Sequence, residues 1–89
     1  MSNFIIVVYD VHQKRVAKVL KTCRKYLHWV QNSVFEGEIT PANLQRLIDE
    51  LNSIIDPEYD SIIIYFFRRK AYTERRILGQ EKGGENYFI

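Results

Sequence analysis

The chain has one cysteine, Cys23, among 89 residues, so no intrachain disulfide can form. That excludes a disulfide-stapled secreted scaffold and fits a reducing cytoplasm. Cys23 falls among the apolar residues of a helical pattern, where a small buried hydrophobe is the ordinary reading. No apolar run reaches the length of a membrane span. The N-terminal run has no basic region before it and ends in Asp10, which argues against a signal segment. The expectation is a cytoplasmic protein with no membrane association. A phosphate-binding Walker loop, paired cysteines and a nucleophile elbow are all missing, and with them the chemistry each supports. Net charge is only +2, too little to assign nucleic-acid binding without regard to where the charges lie. Repeats and low-complexity tracts are absent too. Gln80-Glu-Lys-Gly-Gly-Glu-Asn86 reads as a polar link.

What the chain does have is apolar material, at 46% hydrophobic residues. A domain of this size buries about 60–65% of its unfolded surface and is marginal alone. The excess points to an oligomer.

Periodicity gives the elements. Phe4 to Tyr9 is a continuous β-rich run, predicting a strand buried on both faces. Val16, Val19, Leu20, Cys23, Tyr26 and Leu27 follow helical spacing and predict a helix over 13–27. Trp29 to Phe35 is predicted as a second strand, with Gly37 turning it into a short third strand at Glu38-Ile39. Thr40-Pro41 is a good helix start: Thr caps and Pro occupies the first turn. Leu44, Leu47, Ile48, Leu51, Ile54 and Ile55 then mark one helical face, which Asp56-Pro57 ends. Ser61 to Phe67 is another apolar strand.

The order β-α-β-β-α-β predicts an α+β, ferredoxin-like domain with an antiparallel sheet. It occupies residues 1–79, with a tail over 80–89. Tyr72 to Gly79 and Asn86 to Ile89 have strand character and are expected to extend a sheet, either this chain's or a partner's. Both helices of such a fold cover one sheet face. The other should be polar if it meets water. Here Phe4, Ile6 and Val8 alternate with Ile5, Val7 and Tyr9, and Ile62, Ile64 and Phe66 with Ile63, Tyr65 and Phe67. Neither parity is polar, so the open face needs a cover. A second copy of the sheet, in a two-fold homodimer, supplies one. The C-terminal segment folding back is the other candidate.

Asp10 ends the first strand where the chain turns toward a helix. Divalent metals polarise phosphoryl oxygens and activate water, and Mg²⁺ can be held by one or two carboxylates plus waters. Two Asp10 side chains meeting across a dimer axis would make such a pair. The competing reading is a capping box, with Asp10 capping the helix and Gln13 three residues on. His12 and His28 lack partners at a ligand spacing. Lys14, Lys18, Lys21 and Lys25 fall within a helical stripe roughly 60° wide at about 100° per residue, flanked by Arg15 and Arg24 and free of acids. Arg68-Arg69-Lys70 and Arg75-Arg76 form a second basic cluster. Both suit a phosphate backbone, and an ordinary solvated helix face is the alternative. The third strand lacks the aromatic motif of an RRM, which excludes that RNA-binding module.

Four segments in order carry a resemblance: Tyr9-Asp10-Val11, Trp29-Val-Gln-Asn-Ser-Val-Phe-Glu-Gly37, Asp60-Ser-Ile-Ile-Ile-Tyr65 and Ile77-Leu78-Gly79. Together they resemble the Cas-two family, the small CRISPR-associated protein of the adaptation module. The resemblance implies a ferredoxin-like homodimer in which Asp10 of one protomer faces that of its partner and the two share a divalent metal, usually Mg²⁺. It implies endonuclease activity on single-stranded RNA or double-stranded DNA, and partnership with the CRISPR integrase, the Cas-one protein, in spacer acquisition. On the same basis Tyr9 positions metal or substrate, and Ser33 and Phe35 line the cleft. Arg15 matches a commonly basic position, whereas Trp29 stands where some members are basic. Lys14, Arg15, Lys18, Lys21, Lys25, Arg68, Arg69 and Lys70 are the candidate nucleic-acid contacts. The alternatives are a non-catalytic DNA-binding scaffold and a toxin-type ribonuclease of related fold.

Overall fold

In the computed structural model, residues 3–68 and 71–80 are described. The elements are β1 (Asn3–Asp10), α1 (Gln13–Tyr26), β2 (His28–Gln31), β3 (Val34–Ile39), α2 (Pro41–Ile54), β4 (Ser61–Arg68) and β5 (Ala71–Gly79). One antiparallel sheet runs in the order β2-β3-β1-β4-β5. The first four strands and two helices are the ferredoxin-like arrangement. β5 extends this chain's own sheet by pairing with β4. Asn86–Ile89 and the rest of 81–89 lie outside the described residues.

Each helix forms where its apolar spacing gives one face to the sheet. α1 buries Val19, Thr22 and Cys23, and α2 buries Leu44, Leu47, Ile48 and Leu51. Thr40 caps α2 through the Asn43 N–H, as the Thr-Pro start predicts. Burial pushes the Cys23 thiol up to about 12, so it is an inert core group.

The β2–β3 region departs from the sequence reading. A turn at Asn32-Ser33 splits the run Trp29–Phe35 into two strands, and Gly37 sits inside β3 rather than at a turn. Asn32 takes φ +42°, a conformation that Asn tolerates better than most residues. A Gly inside a strand pattern does not by itself mark a turn.

Strand parity is now resolved. Ile5, Val7 and Tyr9 of β1, Phe35 and Ile39 of β3, and Ile62, Ile64 and Phe66 of β4 face the helices and form the core. The opposite face carries Phe4, Ile6 and Val8 beside Phe67, Tyr65 and Ile63, with Val34, Glu36 and Glu38 on the β3 side. Phe4 is 36% exposed, and the rings of Phe4 and Phe67 meet edge to face. Ile64 is therefore a core residue under the helices, and Ile63 is the one on the helix-free face.

Candidate functional site

Three segments converge at one end of the sheet: the β1–α1 turn, the α2–β4 turn and the end of β5. Asp60 joins them. Its carboxylate is fully buried and accepts from the His12 backbone N–H at 2.9 Å and the Asp56 backbone N–H at 2.8 Å. Arg15 Nε and Nη2 donate to its two oxygens at 2.6 and 3.0 Å. The Asp60 carbonyl accepts the Gln80 N–H, and Gly79, at φ +83°, leaves no room for a Cβ beside that carbonyl. The Arg15 guanidinium and the two backbone donors hold the Asp60 carboxyl well below the usual carboxylate range. A charge with no water contact is tolerated because four donors surround it.

That arrangement changes two readings of the sequence. Arg15 commits its Nε and Nη2 to a bidentate pair with Asp60, so that edge of the guanidinium is not presented to a phosphate. Asp10 is not the N-cap of α1. His12 caps α1 instead, its Nδ1 accepting from the Lys14 N–H at 3.1 Å. Asp60 was legible only as part of the fourth-strand motif. The signal that could have singled it out is an acid directly before an all-apolar strand.

Asp10 is the last residue of β1, exposed, and shares the helix-free face with Phe4, Ile6 and Val8. Tyr9 points the other way. It is 5% exposed, and its ring stacks on Phe35 at 6.2 Å. Burial raises the Tyr9 phenol above its ordinary value, against a hydrogen bond with Ser33. The Tyr9 backbone N–H also donates to the Ser33 carbonyl at 3.1 Å. Strand alternation thus places Tyr9 and Phe35 in the core, on the face away from Asp10. Phe35 has no exposed surface and packs rather than lining a cleft. Among the described residues, no three His, Cys, Asp or Glu side chains come together as a metal site.

Lys14, Lys18 and Lys21 are exposed along α1, on the layer opposite Asp10. Lys25 is held by Glu50 and lies 5.8 Å over the Tyr26 ring. Lys25 and the Tyr26 hydroxyl both bond Glu50, which lowers its carboxyl below the ordinary value. Arg69 and Lys70 and the Arg68 side chain lie outside the described residues. No described helix is long and apolar enough to cross a membrane.

Sheet order and an exposed strand-end carboxylate define a class: small ferredoxin-like proteins whose helix-free face is apolar along the two central strands. The family model "CRISPR associated protein Cas2" matches residues 2–75. A Dictyoglomus turgidum protein named "CRISPR-associated endoribonuclease Cas2" is 56% identical, covering 97% of this chain and 99% of that one. A Thermotoga maritima protein of the same name is 45% identical over the same shares of the two chains. The structure titled "Crystal structure of cas2" superposes with TM-score 0.74 at 39% identity, covering all of both chains. This chain belongs to the CRISPR-associated Cas2 family.

Proposed function

We propose that this protein binds nucleic acid and hydrolyses phosphodiester bonds as a divalent-metal-dependent endonuclease in CRISPR adaptation, with RNA the first substrate to test. The observation that carries it is Asp10, an exposed carboxylate ending a buried strand on the face that the helices leave open. The names of the relatives support the activity and its ribonucleic substrate. A two-fold dimer through the helix-free faces covers Phe4, Ile6 and Val8 and brings a second Asp10 toward the first. Such a pair fits Mg²⁺, which takes few protein carboxylates and keeps its waters. When bound, the ion supplies a polarised phosphoryl oxygen and an activated water. Asp10 holds the ion. Tyr9 and Ser33, tied by hydrogen bonds, hold the β1 end against the β2–β3 turn and so position the carboxylate. The integrase of the same module is the proposed partner.

The test is metal removal. Cleavage of single-stranded RNA and of duplex DNA is measured with Mg²⁺ and with EDTA. We expect cleavage of RNA with Mg²⁺ and none with EDTA. Wild-type protein inert toward both substrates under every metal and pH tried would instead favour a scaffold role carried by the basic surface.

The exposed lysines of α1 give a second expectation. Charge reversal at Lys14, Lys18 and Lys21 together should weaken binding and flatten its salt dependence. Each lost phosphate contact on duplex DNA lowers the slope of log K against log salt by about 0.9. Fluorescence anisotropy across a salt series reads both quantities. Unchanged affinity and slope would make the stripe a solvated face.

A further inference from the structure

Trp29 is the chain's single tryptophan, and 55% of it is exposed. An exposed indole on an edge strand is unusual enough to ask what it presents. Its Nε1–H donates to the Asn32 carbonyl at 2.9 Å, across the β2–β3 turn. That bond uses the ring's one polar group and fixes its orientation. What remains to offer a partner is the π-face alone.

The surroundings favour an anion with flat, apolar groups attached. Trp29 is paired with Phe35 across the β2–β3 ladder, so it lies on the helix side of the sheet at its outer edge. α1 reaches that edge directly: its last turn contains Arg24 and also Lys25, which is paired with Glu50; Leu27 ends the helix, and β2 begins at His28. Arg24 is exposed, and its charge acts on the Tyr9 phenol, over the layer that Trp29 borders. α1 contains no acid.

We propose that Trp29 is a stacking platform for an unpaired base of single-stranded nucleic acid, with the backbone of that strand following the cations of α1. The inference rests on the nucleic-acid reading above and adds a binding subsite to it. A ring without free donors or acceptors reads no base edges, so the subsite is tolerant of sequence. It does require that the base be unstacked. Every base has a π-face, and stacking on an aromatic side chain strengthens binding without hydrogen-bond readout. Duplexes hide their bases and gain nothing from Trp29, so the residue selects single strands over double.

Because the chain has one tryptophan, its emission reports this site alone. A labelled single-stranded oligoribonucleotide is titrated in EDTA, so that nothing is cut. Anisotropy of the label reads binding, and indole emission reads stacking. Binding should quench Trp29. An abasic phosphodiester strand of equal length should bind more weakly and leave the emission unmoved, as should duplex RNA. Trp29→Ala should weaken single-strand binding about 5- to 100-fold while leaving duplex binding unchanged. Trp29→Phe should recover most of the loss and Trp29→Leu should not, since only Phe restores an aromatic face. Circular dichroism of each variant checks the fold.

Saturating oligoribonucleotide with unmoved emission would overturn the stacking site and leave the nucleic-acid reading standing. So would an emission shift that follows protein concentration without any oligonucleotide, which would mark Trp29 as a contact between protein copies. Failure to bind any strand would overturn both.

Discussion

Replacing Asp10 by Asn is expected to abolish Mg²⁺-dependent cleavage, by at least about 100-fold. Loss of a group that merely orients a metal ligand costs 10–100-fold, and here the ligand itself loses its charge. Asn keeps the shape of the side chain and not the negative charge that a hard cation needs. The fold should tolerate the change, because Asp10 is exposed at the end of β1 and His12, not Asp10, caps α1. Light scattering and circular dichroism should therefore match wild type, and nucleic-acid binding should fall little. A mixed dimer of one Asp10 and one Asn protomer should be badly impaired, since the proposed ion is shared across the axis. Half activity in that species would show that each Asp10 works alone. Full activity of the Asn homodimer would place the chemistry elsewhere.

Asp60→Ala is expected to destabilise the protein by about 3 kcal/mol or more, because it strands Arg15 and two backbone donors around a vacated buried site. For a domain of this size that is a fall in Tm of about 12–24 °C. Thermal melts at neutral pH measure it. Asp60→Asn keeps one acceptor oxygen and should cost less. The pH dependence has a definite sign. The folded-state pKa of Asp60 is depressed below its unfolded value of about 3.9, so its contribution is present in full above that value and is lost as pH falls toward the folded pKa. Wild-type Tm should therefore drop between about pH 5 and pH 2. Asp60→Asn should drop less steeply, so that the gap between the two narrows with acid. Parallel curves would mean that Asp60 carries no more charge stabilisation in the fold than in the unfolded chain.

The consequence of Asp60 for function follows from where its bonds go. It grips the His12 N–H two residues after Asp10, the first turn of α1 through Arg15, and the end of β5 through Gln80. The end of β1 is thereby anchored to elements far along the chain. An exposed carboxylate on a frayed strand end would lose rotational order that a metal site requires.

Local periodicity carried most of this protein's architecture. Helical spacing over 13–27 and 44–55, the Thr40-Pro41 start and the apolar runs at 4–9 and 61–67 each depend on near neighbours, and each element formed within a residue or two of its expected ends. The order of those elements dictated the ferredoxin-like sheet, and the four motifs identified the family. Asp10 stood out because a carboxylate ends a buried run. The hairpin was missed because Gly37 looked like a turn. The polar pair Asn32-Ser33 was the true one, and Trp29 and Phe35 on either side of it made one run look continuous.

Tertiary structure alone decided the rest. Strand parity could not be read, since both faces of β1 and β4 are apolar; only the packing of α1 and α2 chose Ile5, Val7 and Tyr9 as the inner set and left Asp10 outside. The same choice turned Tyr9 and Phe35 into core residues. Arg15 and Asp60 are 45 positions apart, and no local pattern links an arginine in a basic stripe to an acid before a distant strand. Their pairing exists because the sheet sets β1 beside β4, bringing the start of α1 against the α2–β4 turn, where a buried carboxylate must find its donors.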